Sequence, residues 1–109
     1  LKEELTKRME RAGVTYHVDW WVSGDSFLTK EGPLSKAVSD AVQKITGKTP
    51  EMSTTGGTSD ARFIKNMCPV VEFGLVGATM HKVDEHVAVS DIRMLTDIYT
   101  EVIGLLVGR

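Results

Sequence analysis

Apolar residues recur at helical spacing at Leu1, Leu5, Met9 and Ala12, while Lys2, Glu3, Glu4, Lys7, Arg8 and Glu10 fill the other faces. The pattern predicts a surface helix with one narrow apolar stripe. Gly13 stops it in the manner of a C′ glycine. Over residues 14–22 the period changes to two. Tyr16, Val18, Trp20 and Val22 share one face and His17, Asp19 and Trp21 the other, which predicts a strand.

The turn Ser23-Gly24-Asp25-Ser26 and the polar run Thr29-Lys30-Glu31-Gly32 mark a shift to small and polar residues, read as a hinge over residues 23–32. Pro33 suits the first position of a helix whose buried stripe is Leu34, Val38, Ala41, Val42 and Ile45, ending at Gly47. Residues 50–55 read as extended, because Pro50 and the threonines oppose helix. A short helix follows over about 59–66. Val70-Val71-Glu72-Phe73, bounded by Pro69 and Gly74, reads as a buried strand. After an irregular loop over 74–89, Ser90 is the expected N-cap of a long closing helix. Its face is lined by Ile92, Leu95, Ile98, Tyr99, Val102, Ile103 and Leu106. The order α-β, break, α-β-α-β-loop-α predicts α/β layers.

Composition narrows this picture. A chain of 109 residues supports one modest core. The formal net charge of −2 does not favour a nucleic-acid partner. No run of about 18 apolar residues predicts a membrane span. The single cysteine, Cys68, forms no internal disulfide and fits a reducing, cytosolic setting. Next to Pro69, it reads as a small buried filler. The chain starts at Leu1, inside a helical pattern, and is read as a fragment of a longer protein.

Two segments carry chemistry. Ser53-Thr54-Thr55-Gly56-Gly57-Thr58-Ser59-Asp60-Ala61-Arg62-Phe63 places hydroxyls and two glycines before a helix start, where backbone N–H groups are offered to an anion. Arg62, about one turn on, is a candidate carboxylate partner. The bland alternative is a glycine pair serving positive φ, caps at Thr58, Ser59 and Asp60, and a surface Asp60/Arg62 pair of little energetic weight. Met80-His81-Lys82-Val83-Asp84-Glu85 puts a histidine in a polar turn, where it is a candidate metal ligand; most lone loop histidines are simply solvated. His17 reads as a packed or surface side chain. His86 completes no zinc-type Cys/His pattern with His81.

These same stretches, with Val71-Glu72-Phe73-Gly74, Ala78-Thr79-Met80-His81 and Asp19-Trp20-Trp21-Val22-Ser23-Gly24-Asp25-Ser26-Phe27-Leu28-Thr29, resemble the succinyl-diaminopimelate desuccinylases. The similarity runs over essentially the whole chain, in order. The histidine loop and its acid pair recur across the wider aminoacylase and carboxypeptidase relatives. The resemblance implies a cytoplasmic, homodimeric, dinuclear zinc hydrolase of lysine and diaminopimelate biosynthesis, in which cobalt can replace zinc. Its substrate would be N-succinyl-L,L-diaminopimelate, with no nucleic acid or membrane as partner. It implies the end of a lid or dimerisation domain over 1–22, a hinge over 23–32, and the C-terminal segment of an α/β catalytic domain over 33–109.

By the same resemblance His81 is the metal ligand supplied by this segment, with Asp84 and Glu85 as candidates to orient it. Gly57 and Thr58 hold the substrate's succinyl carboxylate, with Arg62 placed to help. Many of these enzymes carry a side-chain amide where this chain has Gly77. Their other metal ligands and glutamate general base have no counterpart here: there is no histidine-x-aspartate pair, and Glu3-Glu4 reads as a solvated helix face. The chain alone is therefore expected to be inactive, with no catalytic residue of its own and little hold on zinc. Two other readings remain: a sister deacylase such as an acetylornithine deacetylase, and a non-catalytic lid or dimerisation module.

Overall fold

The computed structural model describes residues 1–55, 57 and 59–108. Its helices are α1 (Lys2–Arg11), α2 (Pro33–Thr46), α3 (Ala61–Ile64) and α4 (Val89–Val107).

Residue chemistry sets most of their ends. In α1, Glu3 and Glu4 occupy the first turn and Arg8 and Arg11 the last, each complementing the helix dipole. Gly13 adopts φ +66° and its N–H donates to Glu10 O at 3.0 Å, so the predicted glycine stop is present. Pro33 opens α2. Buried Ser35 closes the helix start on itself, because its hydroxyl accepts from Gly32 N–H at 2.9 Å and donates to Gly32 O at 3.0 Å. Gly47, at φ +71°, ends it.

The start of α4 departs from expectation. The N-cap is Ala88, whose extended backbone lets its carbonyl accept the Asp91 N–H at 3.0 Å. Ser90 already lies inside the first turn, where its hydroxyl lies 3.4 Å from the neighbouring Asp91 carboxylate. Two residues of extra helix place Val89 and Ser90 on the helical path before a side-chain cap can act.

The core lies between α2 and α4, the one pair of helices packed on each other among the described residues. Ala37, Val38, Ala41 and Val42 of α2 meet Ile98 and Val102 of α4. Ala41 is fully buried, and its small side chain permits close approach of the two backbones. Leu34, Val71 and Phe73 pack at the edge of this cluster. Ile45, expected in the stripe, is exposed, as are Ile92, Ile103 and Leu106 of α4, because α2 covers a narrower strip than the periodicity allots. Lys44 and Glu101 bridge the rim at 2.7 Å, an exposed pair of small energetic weight.

No β-ladder forms among the described residues. Residues 14–22 and 70–73, expected as strands, carry no ladder. A strand is held by hydrogen bonds to a neighbouring strand, and neither segment has one here. The side-chain alternation survives in part: Trp20 is 42% exposed against 86% for Trp21, and Lys2 Nζ lies 5.4 Å over the Trp20 ring. No residue of α1 is buried. The radius of gyration is 19.3 Å, against about 13 Å for a compact chain of 100 residues, in keeping with an α1 that touches neither α2 nor α4. No helix is long and apolar enough to cross a membrane among the described residues.

Candidate metal and carboxylate site

The two chemical segments occupy different loops. Gly57 lines an open cleft of about 260 Å³ between the extended stretches, with Thr29, Ser53, Thr55, Val70 and Glu72. The Thr29 hydroxyl donates to Val70 O at 2.6 Å and ties the hinge segment to this wall. Neither φ nor packing requires glycine at 57. It is not among the positive-φ residues, and a Cβ there would meet nothing within 4 Å. Thr58 and Gly56, on either side of Gly57, lie outside the described residues.

The helix start after this turn offers less to an anion than the sequence suggests. α3 is a single turn, and its opening amides are taken internally. Ala61 N–H donates to Ser59 Oγ at 3.0 Å, and Phe63 N–H to Asp60 O at 2.9 Å. Arg62 is half-buried, with its guanidinium carbon 4.7 Å over the Phe63 ring. Its aliphatic stem lies against Gly24, where a Cβ would come within 3.0 Å of Arg62 Cδ. Arg62 does not line the Gly57 cleft, and neither does His81.

His81 sits at φ +61° and Asp84 at φ +59°, left-handed conformations that cost a residue with a Cβ. Their loop is tied across its base. The Thr79 hydroxyl donates to His86 O at 2.7 Å and accepts from His86 N–H at 3.0 Å. Inside, Met80 N–H donates to Gly77 O at 3.2 Å and Lys82 N–H to Thr79 O at 3.1 Å. His86 Nδ1 lies 2.6 Å from Asp84 O; a carbonyl only accepts, so Nδ1 carries the proton. The atom that His86 engages is the Asp84 main-chain oxygen, so the Asp84 carboxylate takes no part in this bond. The His81 side chain is exposed, and among the described residues no hydrogen bond joins its ring to Asp84 or Glu85. At Gly77 a Cβ would meet Met80 at 3.5 Å, ordinary contact, so packing does not exclude a longer side chain there.

Among the described residues no group of three or more His, Cys, Asp or Glu gathers to hold a metal. Cys68 is exposed rather than a buried filler, because it follows the α3 turn outside the α2–α4 core. His17 is exposed as well, 3.1 Å from Asp19 Oδ1. Sequence reasoning missed Thr79 and Gly24. Propensity marks neither, since each matters through a partner several residues or more away.

The α2–α4 layer is flanked by extended segments and by a loop tied between Thr79 and His86, and the chain belongs to peptidase family M20/M25/M40, whose model matches residues 4–104. Within that family it is similar to curated succinyl-diaminopimelate desuccinylases. The one from Xanthobacter autotrophicus is 56% identical over 105 residues, covering 95% of this chain and 28% of that protein. The one from Rhodospirillum rubrum is 62% identical over 81 residues, 74% of this chain and 21% of that protein. The one from Methylibium petroleiphilum is 47% identical over 109 residues, 99% of this chain and 28% of that protein. The chain thus spans under a third of the length of these relatives.

Proposed function

We propose that the chain is the C-terminal portion of a metal-dependent amide hydrolase that cleaves N-succinyl-L,L-diaminopimelate to succinate and L,L-diaminopimelate. The observation that carries this reading is identity of 47–62% to desuccinylases over most of the chain, together with an exposed His81 imidazole on a tied loop. In this reading His81 is one ligand of a zinc site, two zinc ions per subunit, with cobalt able to substitute. The remaining ligands and the general base come from parts of the protein that this chain does not include. His81 would help to hold a metal that would supply polarisation of the amide carbonyl and a coordinated water of lowered pKa.

This chain's own share is binding and orientation. Gly57 and Thr58 receive the succinyl carboxylate, and the missing Cβ at 57 leaves the backbone open to close approach. Arg62 adds charge from the neighbouring turn. Residues 1–22 belong to a lid or dimerisation domain of a cytoplasmic homodimer, residues 23–32 to the hinge, and residues 33–109 to an α/β catalytic domain. Segment 14–22 finds its strand partners in the lid or dimerisation domain, and segment 70–73 in the catalytic domain.

The test uses a protein of the relatives' full length carrying this segment. His81→Ala and His86→Ala are compared for bound zinc, turnover and melting temperature. The expected result is loss of one zinc and a steep fall in kcat for His81→Ala alone, with the fold retained. Two zinc ions and normal turnover in His81→Ala would remove the ligand assignment.

A further inference from the structure

We propose that Thr79 is the positioning residue for His81, its hydroxyl holding the loop in the shape that presents the imidazole. The inference rests on the reading of His81 as a metal ligand. The Thr79 hydroxyl bonds both polar groups of one residue, donating to His86 O at 2.7 Å and accepting from His86 N–H at 3.0 Å. Two bonds to one peptide residue set orientation as well as separation. Other bonds of this loop are local: Met80 to Gly77 and Lys82 to Thr79 each close one turn. Lys82 Nζ reaches Ala78 O at 2.9 Å and spans His81 but not Asp84. Among the described residues the Thr79–His86 pair is the link that brackets both left-handed residues, His81 and Asp84.

That bracket matters because the left-handed backbone is not self-sustaining. A residue with a Cβ at positive φ relaxes unless its surroundings hold it. The His81 imidazole gains no orienting hydrogen bond of its own among the described residues, so the loop backbone decides from where and in which direction its Cβ projects. A metal ligand held loosely loses affinity, because ordering it is then deducted from the binding free energy. Thr79 touches neither metal nor substrate in this reading; it acts through the loop.

Thr79→Val keeps the shape and removes both the donor and the acceptor, whereas Thr79→Ser keeps the hydroxyl. The experiment measures zinc affinity by competition with a chromophoric chelator, together with kcat, KM and melting temperature. It uses the full-length protein as wild type, Thr79→Val, Thr79→Ser, His81→Ala and the Thr79→Val/His81→Ala double variant. The expected result for Thr79→Val is zinc affinity weakened about 10–100-fold at one site, kcat lowered with KM little changed, and melting close to wild type. Thr79→Ser should restore affinity to near wild type. In the double variant zinc binding should be no weaker than in His81→Ala, because both changes remove the same ligand.

Wild-type zinc affinity in Thr79→Val, failure of serine to rescue, additive losses in the double variant, or a Thr79→Val protein that does not fold would each overturn the proposal. The two readings separate at His81→Ala. Lost zinc there with normal zinc in Thr79→Val sinks the positioning role alone, whereas zinc retained in His81→Ala sinks the ligand assignment itself.

Discussion

The Tyr99 hydroxyl of α4 donates to the main-chain oxygen of Phe73 at 2.5 Å, while the two rings meet edge to face with centroids 6.4 Å apart and planes at 86°. This pair anchors the extended 70–73 segment to the helical layer and so fixes where the following loop, with His81, begins. Tyr99→Phe keeps the ring contact and removes the donor. It should cost about 0.5–1.5 kcal/mol, read as a lower denaturant midpoint at unchanged slope. A stability equal to wild type would mean that the ring contact alone holds the segment.

Packing between α2 and α4 contributes more to stability. Ile98 is 3% exposed and lies with Ala41 and Val42 in the core cluster. Ile98→Val should cost about 0.5–1.5 kcal/mol and Ile98→Ala about 2–5 kcal/mol. Ile103, at 61% exposed on the same helix, provides the contrast. Ile103→Ala should change the melting temperature of this chain little, as monitored by circular dichroism.

Arg62 and Thr58 should set selectivity for the succinyl group in the full-length protein. Thr58→Val removes a hydroxyl donor to a charged group, worth about 1.5–3 kcal/mol. Arg62→Lys keeps the charge and loses the planar fork. Gly24→Ala should act through Arg62, because its Cβ would sit 3.0 Å from Arg62 Cδ and displace the stem. All three should lower kcat/KM for the succinylated substrate more than for an acetylated analogue, which lacks the distal carboxylate. Equal losses on both substrates would assign these residues a structural role.

The chain by itself should bind zinc weakly and hydrolyse nothing. In the proposed reading this segment supplies one ligand, His81, and among the described residues no group of three or more metal-ligating side chains forms. One imidazole does not hold zinc against water and buffer. Isothermal titration of the 109-residue chain with zinc tests this. Tight binding abolished by His81→Ala would show that His81 recruits further ligands from within this chain.

Local chemistry was legible in the sequence alone. Pro33 and Gly47 bounded α2 correctly, Gly13 stopped α1, and the helical spacing picked out Val38, Ala41, Val42, Ile98 and Val102 as core. Those assignments depend on periodicity and backbone preference, which neighbours within a few residues settle. The family was legible as well, through the string around Gly57, Arg62 and His81, now matched over residues 4–104. Three things waited for the tertiary structure. The width of the buried strip on α4 depended on how much of it α2 could cover, which left Ile103 and Leu106 exposed. The start of α4 depended on the Ala88 backbone rather than on the better side-chain cap at Ser90. The Thr79–His86 and Gly24–Arg62 contacts depended on loops closing over seven and thirty-eight positions. Closure of that kind is set by what the rest of the chain packs against, and residue preferences carry no record of it.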